Sequence, residues 1–208
     1  MADVGVVCEF SGEVRDAFIR AGHQATSYDL LPSERPGPHI QCDVREADLS
    51  RHDILIFHPP CTDLAVSGAK HFHPQYDKTG NLISVGKIAD GRQGAALEFV
   101  RWCMSHEQPW AVENPISVIS SKIRKPDQIV NPWWFGHPET KATCLWLHRL
   151  PKLVPTNDVR AQMVGMTKAQ TDRVHHAPPS EHRWKDRSRT FSGLAEAMAS
   201  QWPQEVQP

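Results

Sequence analysis

The sequence predicts an open, mostly parallel α/β sheet with helices on both faces, and three observations point to it. Valine- and isoleucine-rich runs such as "DVGVVCEF" alternate with segments of helical periodicity such as "VRDAFIRAG". "DILIFHPP" is continuously apolar before its polar turn, as expected of a strand buried on both faces of a parallel sheet. The residues with chemistry to offer fall where strands should end, and such sheets bind ligands beyond their carboxyl edge.

The elements follow in order. "DVGVVCEF" reads as the first strand and passes through "SGE" into a helix. There Val14, Ala17, Phe18 and Ala21 share one face, and Gly22 sits where a C-cap is expected. "QATSYDLL" is a second strand ending near Asp29. A Pro/Gly loop leads to a short "IQCDV" and then to "DILIFHPP". The polar stretch from Ala65 to about Asp90 reads as one long loop, a length usually reserved for function or disorder. "GRQGAALEFVRWCMS" is an amphipathic helix, and "PWAVENP" and "KATCLWL" are strands. Residues 160–189 read as loop-like and locally basic, and "GLAEAMASQW" closes the chain as a short helix.

Composition narrows the function classes. The 208 residues are 39% apolar and 23% charged, ordinary for one globular domain spanning 1–208. No apolar run approaches bilayer thickness, and the first residues lack a basic segment with a cleavage site, so a cytoplasmic location, with no membrane, is expected. Five scattered cysteines do not make a disulfide framework. A net charge of −1 gives no global field for nucleic acid, which leaves a local patch as the means of binding it. Twelve histidines occur without metal-ligand spacing, so no metal is expected and a metal-dependent hydrolase ranks low.

"HPPC" at 58–61 fixes a thiol on a rigid turn at a strand end. Taken alone, Cys61 is more simply a small apolar residue. "ENP" at 113–115 ends another strand, and alone it is a turn signal. With "FSG" at 10–12, Asp29, Asp43 and "FGHPETKAT" at 135–143, these motifs occur in an order that resembles the cytosine-C5 methyltransferases, which use S-adenosylmethionine (SAM).

That resemblance implies a Rossmann-like methyltransferase fold and a set of roles. Cys61 would be the nucleophile that adds to carbon 6 of the base, which makes carbon 5 reactive toward a methyl sulfonium. Glu113 would bind the N3 edge as general acid, with Asn114 orienting it or holding the cysteine loop. Lys141 would contact the base or steady its loop. Phe10, Gly12, Asp29, Asp43 and Pro59 would hold SAM, and the closing helix would fold back beside it. The motif of amino-group methyltransferases at the same strand end, Asp/Asn-Pro-Pro-Tyr/Phe, reads "HPPC" here. It therefore lacks the acceptor for an amino group and carries a nucleophile instead.

The chain departs from the family pattern at three motifs. Val14 replaces a second glycine of the cofactor loop, Thr62 follows the cysteine where glutamine is usual, and Glu139, Lys141 and Thr143 stand in a Gln-x-Arg-x-Arg stretch. The span before the closing helix holds about half of what a target-recognition domain needs. A reduced basic insert, about 156–190, takes its place. Within "EHRWKDRSRT", Arg183, Lys185, Arg187 and Arg189 lie beside Trp184 and suit a phosphate backbone with a stacked base, and Lys70 could serve the same end.

DNA is the expected partner, with its target base flipped out of the stack, and a homodimer or a second protein could add specificity. Compact size suggests a phage-type enzyme in a bacterial or infected host cytoplasm. Two alternatives stay open: C5 methylation of a free pyrimidine nucleotide or single strand, and a non-catalytic SAM- or nucleic-acid-binding relative.

Overall fold

The computed structural model describes residues 1–176 and 183–204. Its strands are β1 (Asp3–Val7), β2 (Gln24–Asp29), β3 (His39–Gln41), β4 (Ile54–Phe57), β5 (Gln75–Tyr76), β6 (Leu82–Ser84), β7 (Trp110–Pro115), β8 (Gln128–Val130) and β9 (Thr143–His148). Its helices are α1 (Glu13–Arg20), α2 (Arg92–Cys103), α3 (Ile119–Lys122), α4 (Lys168–Thr171), α5 (Arg173–His176), α6 (Arg183–Ser188) and α7 (Ser192–Gln201).

Seven strands form one sheet in the order β3-β2-β1-β4-β7-β9-β8. The pairings from β3 through β7 are parallel, while β9 runs antiparallel to both β7 and β8. The chain therefore winds outward from β1 in one direction and then from β4 in the other, so the order reverses between these two strands. In open α/β sheets the crevice beyond the carboxyl ends at such a reversal is where ligands bind.

Both faces of the sheet are covered. Alternate residues of β1 and β4 (Val4, Val6, Ile54, Ile56) point to one face, where Val14, Ala17 and Phe18 of α1 meet Leu194, Met198 and Trp202 at α7. Val7, Leu55 and Phe57 point to the other, against Leu97, Val100 and Cys103 of α2 and Ile119 of α3. Ala21, expected on the buried face of α1, is exposed, because the helix has already ended there. Gly22 adopts φ +89° and its amide closes on Ile19 O, with His23 N on Phe18 O, so a glycine stops the helix as expected.

Two expectations need correction. The stretch 65–90 is not an open loop. It forms a 3-10 turn over Val66–His71 and the β5–β6 hairpin, whose tip is organised by Asp77 accepting from Thr79 and Asn81. Residues 160–189 are not loop-like throughout, since they carry a 3-10 turn, α4, α5 and α6. Arg183, Lys185 and Arg187 lie on α6, and the insert's residues 177–182 fall outside the described residues. Among the described residues no helix is long and apolar enough to cross a membrane.

Candidate active site at the sheet reversal

The ends of β1, β4 and β7 converge on one cavity of about 80 Å³. Cys8–Ser11 line it from β1, His58–Cys61 from β4 and Glu113–Pro115 from β7, with Lys141 and residues 187–190 closing over them. The structure thus brings together Phe10, Pro59, Cys61, Glu113, Asn114, Lys141, Arg187 and Arg189 of the expected residues. Gly12, Asp29, Asp43, Lys70, Arg183 and Lys185 do not line this cavity.

The β1 end is built around a glutamate that the sequence reading missed. Glu9 is buried, and its carboxylate accepts from the amides of Val14 (2.5 Å) and Arg15 (3.2 Å), capping α1. Burial raises its pKa, against the pull of the His58 charge and those two amide bonds. Gly12 sits just before α1 at φ +73°, a left-handed turn that favours glycine. Val14, where the family pattern has a second glycine, is a fully buried core residue whose amide belongs to Glu9.

Beyond the loop, the fully buried Arg15 donates to Ser27, Ser33 and the carbonyls of Arg35 and Pro36, and so fixes the segment after β2. Asp29 ends β2 and accepts from Leu31 N. Asp43 follows β3, where it caps a 3-10 turn and pairs with Arg45 in solvent, which holds its carboxyl at about 2. Asp29 and Asp43 both reach Cys8 electrostatically. Burial first, and then these two carboxylates, push the Cys8 thiol up to about 12.

At the β4 end Cys61 is half-buried rather than exposed on its turn. Burial raises its pKa and Glu113 adds to the rise, while Lys141 and Arg187 oppose it. The turn itself is held firmly. Leu64 N and Ala65 N both donate to Cys61 O, and Asn114 Nδ2 donates to Pro59 O at 2.8 Å. Lys87, almost fully buried, donates to Thr62 O and pairs with Asp63 at 3.2 Å.

Glu113 is buried beneath this turn, and His58 Nδ1 lies 3.0 Å from its Oε2. Burial alone would raise the Glu113 pKa, but the His58 bond and charge, the Lys141 charge and the Thr143 hydroxyl together hold it below its ordinary value. Glu113 is therefore an ionised carboxylate here. Thr143, standing where the family has an arginine, still serves this carboxylate. The other nitrogen of His58, Nε2, is buried with no partner among the described residues, as is Asn114 Oδ1. His58 opens the "HPPC" motif, whose pattern marks only the absence of an Asp/Asn there and gives no sign of the Glu113 pairing.

A strap of residues 183–190 lies over the site. Trp184 packs on Phe10 with ring centroids 5.6 Å apart, and Lys185 Nζ lies over both rings. Lys185 and Arg189 pair with Glu34 at 3.7 and 2.6 Å. Lys141 Nζ donates to Arg187 O (2.8 Å) and Arg189 O (3.2 Å), so it holds the strap. Glu139, which stands at the glutamine of the Gln-x-Arg-x-Arg stretch, is buried and pairs with Arg173. Lys70 is exposed in the 3-10 turn after Cys61.

No family model matches the chain, and neither does any curated protein. Among solved structures the chain is similar to a candidate DNA modification methyltransferase encoded within an E. coli prophage, with a TM-score of 0.48 at 15% identity. The match covers 75% of this chain and 51% of that one, so the chain spans about half the length of that protein.

Proposed function

We propose that this chain is a SAM-dependent methyltransferase that acts on carbon 5 of cytosine in DNA. The observation that carries the reading is the cavity at the sheet reversal, where Cys61, Glu113 and Asn114 meet the Phe10 loop. A thiol, a carboxylate with its own donors and a glycine-turned loop in one cavity are what thiolate addition beside a cofactor requires.

The donor set suits SAM. Asp29 ends β2 and Asp43 follows the neighbouring β3, where the resemblance has acidic contacts to the ribose and adenine of the cofactor. SAM supplies an electrophilic methyl group when bound. The chain does the rest. Cys61 Sγ adds to carbon 6 of a flipped base, with Lys141 and Arg187 favouring its thiolate. Glu113 faces the N3 edge, and to donate there it must take up a proton as the base enters. Entry displaces water and deepens the burial that already opposes its charge. Asn114 keeps the cysteine turn in register through Pro59.

The cavity of about 80 Å³ is well below the several hundred Å³ of ordinary ligand pockets, so the strap must lift before a nucleoside enters. A nucleotide-sized acceptor is the second reading. It is favoured by the pairing of Lys185 and Arg189 with Glu34, which spends part of the basic insert inside the protein.

The test is covalent trapping on DNA carrying 5-fluorocytosine with SAM, comparing wild type with Cys61→Ala. A denaturation-resistant adduct with wild type alone supports cysteine chemistry on polymer. Absence of an adduct on any DNA, with methyl transfer to dCMP, would replace DNA by the nucleotide. SAM binding without transfer to either acceptor would sink the enzymatic reading.

A further inference from the structure

We infer that His58 is the catalytic base that removes the proton from carbon 5 of the methylated base, with Glu113 orienting and stabilising it. The inference rests on the proposed methyltransferase reading and extends it to a step that Cys61 and Glu113 leave without an acceptor.

Three features of His58 converge. Its side chain is 10% exposed, and Nε2 is buried without a partner among the described residues, in a cavity also lined by Cys61. A buried polar atom left unpaired costs roughly 1–3 kcal/mol, so one on a side chain that lines a cavity calls for a partner brought in from there. Nδ1 meets the Glu113 carboxylate at 3.0 Å. An ionised carboxylate can only accept, so Nδ1 carries a proton, and the neutral ring has its lone pair at Nε2. A base held by a carboxylate on its far nitrogen is the arrangement in which imidazole takes a proton most readily, because the imidazolium is stabilised as it forms. Finally, the ring is fixed at its root, because His58 N donates to Val7 O in line with the β1–β4 ladder.

After methyl transfer, carbon 5 carries both a hydrogen and the new methyl group, and carbon 6 carries Cys61 sulfur. Nε2 takes the hydrogen as a proton. The C5–H electron pair becomes the C5=C6 double bond, and the C6–S pair leaves on Cys61 Sγ as thiolate. The proton at N3 is returned separately through Glu113.

The experiment compares wild type, His58→Gln and Cys61→Ala on ordinary cytosine DNA and on 5-fluorocytosine DNA. His58→Asn replaces His58→Gln if the longer amide melts early. The expected result is that the His58 variant traps 5-fluorocytosine DNA as wild type does. With SAM it should also accumulate a covalent complex on ordinary cytosine, which wild type releases, and its turnover should fall at least 100-fold. A second readout needs no SAM. Wild type in deuterated water should wash the C5 hydrogen out of the target cytosine, and the His58 variant should not.

Turnover within threefold of wild type would overturn the inference. So would loss of the 5-fluorocytosine adduct in a variant that melts like wild type, because His58 would then act before elimination. Failure of wild type itself to form that adduct, with no methyl transfer to dCMP either, would instead remove the methyltransferase reading, and this proposal with it.

Discussion

Asn114 Nδ2 donates to Pro59 O at 2.8 Å, and this bond ties the end of β7 to the turn that carries Cys61. The two strands do not pair at these residues, since the β4–β7 ladder stops at Phe57 and Val112. One buried side chain therefore continues the sheet's register into the site. Asn114→Ala leaves the Pro59 carbonyl unsatisfied and should cost about 1–3 kcal/mol. The sharper expectation is a fall in adduct formation by Cys61 larger than that stability loss would cause. Trapping kinetics beside a urea titration measure both.

Cys61 provides a pH test. Its thiol lies above the ordinary value of 9.0, because burial and Glu113 outweigh Lys141 and Arg187. Alkylation by iodoacetamide, which follows the thiolate, should still be rising with pH beyond 9. Lys141→Met removes a favourable charge and should slow labelling at every pH below the plateau. It also frees the strap, whose carbonyls at Arg187 and Arg189 lose their donor. Peptide mass spectrometry after timed labelling distinguishes Cys61 from the four other cysteines.

Gly193 opens α7 in close contact with the loop after β8. A Cβ at this position would lie 1.9 Å from Phe135 O, a backbone atom that cannot swing aside. Gly193 N also donates to His137 Nε2 at 3.1 Å, so helix and loop are locked from both sides. Gly193→Ala should destabilise by at least about 1–3 kcal/mol. Thermal melting of the variant checks it, and a melting temperature within a degree of wild type would refute the close approach.

His52 links stability to acid. It is buried between Asp3, 2.6 Å from Nδ1, and Tyr28 Oη, 2.8 Å from Nε2. Burial lowers its pKa below 6.5, and the Asp3 bond opposes this only in part. The unfolded chain therefore takes up a proton below about 6.5 that the folded chain resists, and this residue's contribution falls as pH drops through that value. Relative to His52→Gln, wild type should lose stability between pH 7.5 and 5.5. Urea unfolding of the pair at both values gives the difference, and it cancels groups such as Glu9 that titrate in both proteins.

Strand ends were the part of the molecule that the sequence displayed openly. β1, β4 and β7 are apolar runs bounded by polar turns, so Phe10, Cys61, Glu113 and Asn114 could be set on one rim from pattern alone. The β5–β6 hairpin escaped because it is short and mostly exposed, and its tip is organised by Asp77 side-chain bonds rather than by an alternating apolar face. The antiparallel course of β9 has no local signature, yet it delivers Thr143 to Glu113. The His58–Glu113 pair joins residues 55 positions apart. Trp184 on Phe10 joins chain ends that periodicity never relates, and so the basic insert read as a surface for phosphate rather than as a cover.

That cover has a consequence in time. Entry to the cavity must first part Trp184 from Phe10 and free Lys185 and Arg189 from Glu34, an opening that proceeds at its own rate whatever the ligand concentration. Stopped-flow tryptophan fluorescence should therefore show an observed binding rate that levels off at high SAM instead of climbing linearly. Glu34→Gln, by loosening the latch, should raise that ceiling, so the pace of recognition is set by the protein's own clock before any chemistry begins.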